Sequence, residues 1–350
     1  MKDLNPISIL YLGKRGGGAE LTLILTRELK ASSLFEVRAV GLRRDNEAWS
    51  RADQSSRVEI FSNGYTLETL LKIIGFAFKP KLLLKRLKLQ PGDACLIPMI
   101  SPLGLVVEMI LKKNRVNVIR LIHDFKKHPG DYFPPNWLTR QVIRKSDFLI
   151  TLSEAVDVKI KEKFSKIRTS VYPHPDFGFK GKSAGRIIGA EYLLFIGRLR
   201  IYKGVKNLIE ATTSISDFSP LLVIAGEGDL KIKHDPKIVM INKWLTEAEI
   251  SNLVQNAEVI VFPYIEASQS GLIPFCMSSG KKIIITPLDG LLEQTSGYPN
   301  LFIAKDLDPT SLAIVLETAI KTPIQEIGYE LNNSKSIELC LLESGIFSKE

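Results

Sequence analysis

Four short stretches of the chain combine residue types that could bind an anion, move a proton or grip a polyol. In FIGRLRIYKGVKNLIEA (195–211), Arg198 and Lys203 lie between a strand-like run and a helix-like one, flanked by Gly197 and Gly204. Two cations beside a helix N-terminus suit a diphosphate, because the helix end adds about half a positive charge. In GKRGGGAE (13–20), Gly16, Gly17 and Gly18 open a helix directly after a strand. Glycines there let backbone approach a ligand, and the helix end favours an anion. The spacing is not G-x-G-x-x-G, so a dinucleotide fingerprint is absent. In RLIHDFKKHPGDY (120–132), His123, Asp124 and His128 follow a strand end. A His–Asp pair can orient a polar substrate or shuttle a proton. In PYIEASQSGLI (263–273), Glu266 could accept hydrogen bonds from vicinal hydroxyls. There Ser268, Gln269 and Ser270 offer capping oxygens to a helix expected after Ser270, and Gly271 permits close approach.

The elements that must position these residues alternate along the chain. Strand-length runs are expected at 7–12, 36–41, 58–61, 94–98, 118–122 and 148–152 in the first half. The second half offers 192–197, 221–225, 238–241, 259–263, 282–286 and 301–304. Most are unbroken Ile, Val and Leu, the pattern of strands buried on both faces of a parallel sheet. Helical stretches fall between them, which predicts an α/β chain of two doubly wound, Rossmann-like domains facing a cleft. The expected boundaries are an N-terminal α/β domain over 1–172 and a Pro- and Gly-rich linker over 173–190. A second α/β domain follows over 191–325, then a helical tail over 326–350 that crosses back to the first domain. In such sheets the strand C-termini carry the ligand loops, and all four stretches sit there.

Composition bounds the rest. With 350 residues, 45% of them hydrophobic and 24% charged, each half can bury its own core. The three cysteines are scattered, as reduced thiols of a cytoplasmic protein would be. The start, MKDLNPISILYLG, has no apolar core of signal-peptide length. Net charge is +9, and the stretch 66–90 alone carries Lys72, Lys79, Lys81, Lys85, Arg86 and Lys88 against Glu68. With Leu, Ile and Phe between the cations, that stretch suits an anionic membrane surface. The commoner arrangement is a pair of surface helices whose apolar stripes face the core. No nucleic-acid-binding pattern appears. Zinc spacing is absent, and the D-x-D string at 306–308 reads as a helix N-cap at Asp308.

Taken together, the four stretches resemble the retaining nucleotide-sugar glycosyltransferases of the GT-B fold. The likeness is strongest in LLFIGRLRIYKGVKNLIEA, LLVIAGEGDL, LTEAEISNLVQNAEVIVFPYIEASQSG and IIITPLDGLLEQ. VIRKSDFLITLSEAV and the HDxxxHPG text at 123–130 are similar to a branch from polysaccharide-assembly clusters. The resemblance implies a hexosyltransferase-type enzyme of cell-surface polysaccharide synthesis (O-antigen, capsule, exopolysaccharide or lipopolysaccharide). It would move sugar from a nucleotide-sugar donor to a glycan or lipid-linked acceptor, without metal or cofactor, at the inner face of the plasma membrane. By the same resemblance, Arg198 and Lys203 hold the donor diphosphate, Glu266 contacts sugar hydroxyls and His123 lies near the transferred sugar. Ser270, Gly271 and Leu272 offer backbone amides to sugar and phosphate. Gly197 and Gly226 belong to the donor loops, and Gly16, Gly17 and Gly18 lie close to donor and acceptor. One departure stands out. Eight residues after Glu266, where the family has a second acid that grips ribose, this chain has Pro274. That leaves a non-catalytic GT-B partner subunit, an epimerase or a phosphorylase as alternatives.

Overall fold

The structure, a computed structural model, describes residues 4–64, 66–127, 129, 133–179, 185–216, 220–232, 235–325 and 335–347. His128 and Gly130 of the HDxxxHPG text, part of the linker and the start of the tail lie outside the described residues. The described residues form two units, one drawn from 1–127, 133–175 and 333–350, the other from 128–132 and 176–332.

Unit 1 is built on a seven-stranded parallel sheet. Its strands are β1 (Asn5–Tyr11), β2 (Phe35–Arg43), β3 (Arg57–Phe61), β4 (Ala94–Ile97), β5 (Asn117–Ile122), β6 (Phe148–Thr151) and β7 (Thr169–Val171). The order is β3-β2-β1-β4-β5-β6-β7, so the winding reverses between β1 and β4. The helices are α1 (Gly17–Ala31), α2 (Leu67–Phe78), α3 (Pro80–Arg86), α4 (Pro102–Lys113), α5 (Asn136–Lys145) and α6 (Glu154–Lys163). Strand β5 is clamped to α4 by a buried ion pair of Arg120 with Glu108. The pair fixes the strand three residues before His123.

Unit 2 repeats the plan with six parallel strands. These are β8 (Tyr192–Ile196), β9 (Leu221–Ala225), β10 (Ile238–Ile241), β11 (Val259–Phe262), β12 (Lys282–Ile285) and β13 (Leu301–Ile303). Their order, β10-β9-β8-β11-β12-β13, reverses between β8 and β11. The helices are α7 (Val205–Ser214), α8 (Glu247–Asn256), α9 (Ile273–Ser278), α10 (Asp289–Gln294) and α11 (Pro309–Lys321). A last helix, α12 (Ile337–Leu342), belongs to unit 1.

The unbroken apolar runs become the buried centre of each sheet. Strands β8, β11 and β12 are buried at every position, and helices cover them on the scale of one continuous core. The caps follow their sequence signals. Thr246 and Glu249 form a reciprocal capping box on α8, and Asp308 caps α11 ahead of Pro309.

Two expectations need correction. The residues after Ser270 do not enter a helix at once. Helix α9 begins at Ile273, and no side chain caps it. Helix α2 does not turn its main apolar stripe to the core: only Thr69 and Phe76 are buried, while Leu67, Leu71 and Phe78 are exposed. No described helix is long and apolar enough to cross a membrane.

Candidate functional site

In both units the candidate residues lie at the C-terminal edge of the parallel strands, the place such sheets bind ligands. In unit 2 the loops of Arg198, Lys203 and Glu266 flank the point where the winding reverses. In unit 1 the Gly-rich turn does, with His123 one strand beyond β4. In unit 2 the two loops concerned follow β8 and β11, which are hydrogen-bonded neighbours.

After β8 the chain turns through Gly197, makes a 3₁₀ turn over Ile201–Lys203, and enters α7 through Gly204. Two of these glycines are demanded by the geometry. Gly204 has φ of 67°, and a Cβ there would lie 1.7 Å from the Pro263 carbonyl oxygen. Gly226, with φ of 145°, would place a Cβ 1.8 Å from the Gly197 carbonyl oxygen. The loops after β8, β9 and β11 are therefore pressed backbone to backbone, and side chains at these points would wedge them apart. The Tyr202 carbonyl accepts from the amide of Ile265 at 2.8 Å and Glu266 at 3.4 Å. So the turn bearing Lys203 and the turn bearing Glu266 are stitched directly together.

Lys203 is seated on an aromatic platform. Its ammonium stands 3.6 Å from the centroid of Tyr264, which is buried. An ammonium over a ring face is attracted by about 0.5–2 kcal/mol, more as water is excluded. Burial pushes the Tyr264 phenol up, while the Arg198 charge pulls it down, so Arg198 shares this electrostatic neighbourhood. The Tyr264 hydroxyl is hydrogen-bonded to Ser270 Oγ at 3.0 Å. Gln294 on α10 then clamps the Ser270 backbone from both sides. Its Oε1 accepts the Ser270 amide at 2.9 Å, and its Nε2 donates to the Ser270 carbonyl at 2.9 Å. Ser270 thus acts as a buckle for the turn and caps no helix. Gly290 of α10 lies against the Ser268 carbonyl, where a Cβ would come within 2.0 Å. Glu266 and Arg198 are exposed and Lys203 is half-buried, as are Gly271 and Leu272. Pro274 is buried in the first turn of α9, where a proline costs no hydrogen bond.

In unit 1 the Gly-rich turn follows β1 and His123 follows β5, two strands apart, on the order of 10 Å. Gly16 has φ of 92° and stands at the N-terminus of α1. Its amide donates to Glu47 Oε2 at 3.1 Å. The Glu47 amide donates to the Lys14 carbonyl at 2.9 Å, and Asn46 Nδ2 to the Gly13 carbonyl at 2.8 Å. The loop after β2 therefore braces the Gly-rich turn. Gly18 is buried, and its missing side chain leaves room for the Tyr11 ring, 2.7 Å from where a Cβ would be. Gly17 is exposed.

His123 donates from Nε2 to the Pro98 carbonyl, which follows β4, at 3.1 Å. Burial holds its pKa below the ordinary value, with Asp124 partly offsetting that. A neutral ring donating through Nε2 carries its lone pair on Nδ1. Nearby lies His174, which donates from Nδ1 to the Pro175 carbonyl at 3.0 Å. Burial lowers His174 to about 4, and the neighbouring His123 adds to the effect.

Sequence reasoning did not single out Tyr264, Gln294, His174, Asn46 or Glu47. Only Tyr264 carried a signal, as an aromatic next to Pro263 in a strand-to-helix turn.

With this geometry in view, comparison with known proteins is informative. Residues 190–322 match the glycosyl transferases group 1 family. The matched segment runs from β8 through α11 and contains Arg198, Lys203, Tyr264, Glu266, Ser270 and Gln294. An uncharacterized glycosyltransferase of Methanocaldococcus jannaschii is 26% identical over 133 residues, 35% of this chain and 33% of that protein. Among solved structures, the sucrose-phosphate synthase of Thermosynechococcus elongatus superposes with a TM-score of 0.67 at 13% identity, over 90% of this chain and 89% of that one. Anabaena HepE in complex with UDP and glucose gives 0.65 at 15% identity, over 90% and 89%. A UDP-N-acetylglucosamine 2-epimerase gives 0.56 at 11%, over 92% and 88%. At these identities the structural likeness is one of fold: two parallel-sheet, Rossmann-like units, as in the GT-B glycosyltransferases.

Proposed function

We propose that the chain is a hexosyltransferase that takes sugar from a nucleotide-diphosphate donor and passes it, with retention, to a glycan or lipid-linked acceptor. Cell-surface polysaccharide synthesis at the inner face of the plasma membrane is the proposed setting. The observation that carries this reading is the stitched pair of loops after β8 and β11, with Lys203 held on Tyr264 and Arg198 on the same loop.

Breaking the anomeric carbon–oxygen bond leaves negative charge on the departing diphosphate. Lys203, held on Tyr264 at the turn into α7, and Arg198 on the same loop would stabilise that charge where it develops. Glu266 accepts from sugar hydroxyls, and the amides of Gly271 and Leu272 donate to sugar or phosphate oxygens. His123, held at the end of β5 by its bond to the Pro98 carbonyl, lies near the transferred sugar. No acid follows Glu266 at the usual distance, because Pro274 and Phe275 are buried there. Either another group grips the ribose, or nucleotide recognition is looser. The solved Anabaena relative holds UDP and glucose, which makes UDP-sugars the first donors to try.

The test is transfer of labelled sugar from UDP-, GDP- and dTDP-sugars to lipid-linked acceptors, with the anomer of the product read by NMR. Product of retained configuration supports the reading. Interconversion of the donor without transfer would instead identify an epimerase, the second reading favoured by the shared fold of the solved epimerase. Donor binding with neither outcome would leave a non-catalytic partner subunit.

A further inference from the structure

Helix α2 carries an apolar stripe on its outer side. Leu67, Leu70, Leu71, Ile74 and Phe78 are 72%, 54%, 59%, 43% and 83% exposed. Their spacing (i, i+3, i+4, i+7, i+11) is that of one helix face. The inner side is supplied by Thr69 and Phe76, with Ile73 packed on the core. Soluble surfaces carry single exposed apolar residues routinely, but a contiguous stripe of this size marks an interaction site. Leu82 of the following helix α3 is exposed as well.

The charges of 66–90 are positive but for Glu68. Lys79, Lys81, Lys85 and Lys88 are exposed. Glu68, the one acid in 66–90, is paired with Lys72 at 2.6 Å. Arg86 is turned inward, donating to the Glu59 carbonyl at 3.2 Å. Lys85 and Lys88 also line an open pocket of about 520 Å³ with Glu36, Arg38, Ser55 and Gln90, in which Arg38 is paired with Glu36 and Asp93.

We propose that α2 and α3 form a docking surface for an anionic lipid bilayer. The stripe enters the boundary between headgroups and acyl chains, and the lysines meet lipid phosphates. Charge selects this occupant. A second copy would answer the apolar stripe but bring the same four lysines to the contact as like charges, which opposes association. A bilayer supplies apolar depth and negative charge together. The proposal rests on unit 1 alone and needs neither donor nor acceptor, so it stands or falls separately from the transfer reading.

The test is co-sedimentation of the full chain with vesicles of phosphatidylcholine, or of an equimolar mixture with phosphatidylglycerol. The wild type is expected to bind the anionic vesicles in a salt-sensitive manner. The triple variant Leu71→Ser, Ile74→Ser, Phe78→Ser, altered only at exposed positions, should keep its melting temperature and lose about 100-fold or more in partitioning. Lys79→Glu, Lys81→Glu, Lys85→Glu together should lose about 100-fold on anionic vesicles and little on neutral ones. Ile314→Ser, at an exposed apolar position of unit 2, should change nothing. Absence of wild-type binding, or equal binding by the apolar triple variant, overturns the proposal. So does a concentration-dependent dimer that the apolar variant abolishes while vesicles bind neither form.

Discussion

Tyr264 is proposed to serve two partners with two parts of its side chain, and the two can be separated. Its ring supports the Lys203 ammonium and its hydroxyl meets Ser270. Tyr264→Phe keeps the ring and removes the hydroxyl. The buried Ser270 Oγ then loses this partner, and the fold should lose about 1–2 kcal/mol. Nucleoside-diphosphate affinity should stay within about twofold, since Lys203 keeps its seat. Tyr264→Leu removes the ring as well. Stability should fall by a further 2–3 kcal/mol or so from the cavity left in a fully buried site. The lost cation–π contact, about 1–2 kcal/mol at a half-buried ammonium, should now weaken binding by about 5- to 30-fold. Urea denaturation of each variant gives the first quantity, and calorimetric titration of a nucleoside diphosphate gives the second. If Phe and Leu variants bind equally well, the ring does not position Lys203. If both variants lose affinity to the same extent, the hydroxyl is the group that matters.

Three further outcomes are expected. Gly204→Ala forces a Cβ against the Pro263 carbonyl at a positive φ, so it should destabilise unit 2 and lower donor affinity together; calorimetry and thermal melting check both. His174, buried and lowered to about 4 from an ordinary 6.5, makes the fold acid-sensitive. Its neutral form contributes fully above pH 6.5; as pH falls the unfolded chain takes up the proton first, and stability drops by up to about 3 kcal/mol by pH 4. Denaturation midpoints across that range should fall less steeply in His174→Asn. Glu47→Ala frees the Gly16 amide from its brace, and Asn46→Ala does the same for the Gly13 carbonyl. Each should loosen the Gly-rich turn, seen as faster amide exchange over 13–18, at a cost of about 1 kcal/mol in stability.

The architecture was legible because buried parallel strands write themselves as unbroken Ile, Val and Leu runs, as at Val259–Phe262 and Lys282–Ile285. Strand β7 was not, since Thr169–Val171 is three residues long and half polar. Short helix α10 offers too few turns for a period to show. The orientation of α2 was hidden for another reason: apolar residues lie on several sides of it, so the pattern does not say which side meets the core. At the site, Arg198, Lys203 and Glu266 were visible because charge next to glycine in a strand-to-helix turn is conspicuous. Gln294 was not, because its partner Ser270 is 24 residues away and the contact exists only in the fold. His174 likewise looks like a linker residue until burial and proximity to His123 single it out.

The central claim is that Arg198 and Lys203, seated where the second sheet reverses, hold the diphosphate of a nucleotide sugar. Calorimetric titration of UDP, GDP and dTDP into the wild type, Arg198→Ala and Lys203→Ala tests it most directly. At least one nucleotide should bind the wild type, and each variant should bind it about tenfold more weakly or worse while melting at an unchanged temperature. Equal affinity in the wild type and both variants, or no binding of any nucleotide, would contradict the claim.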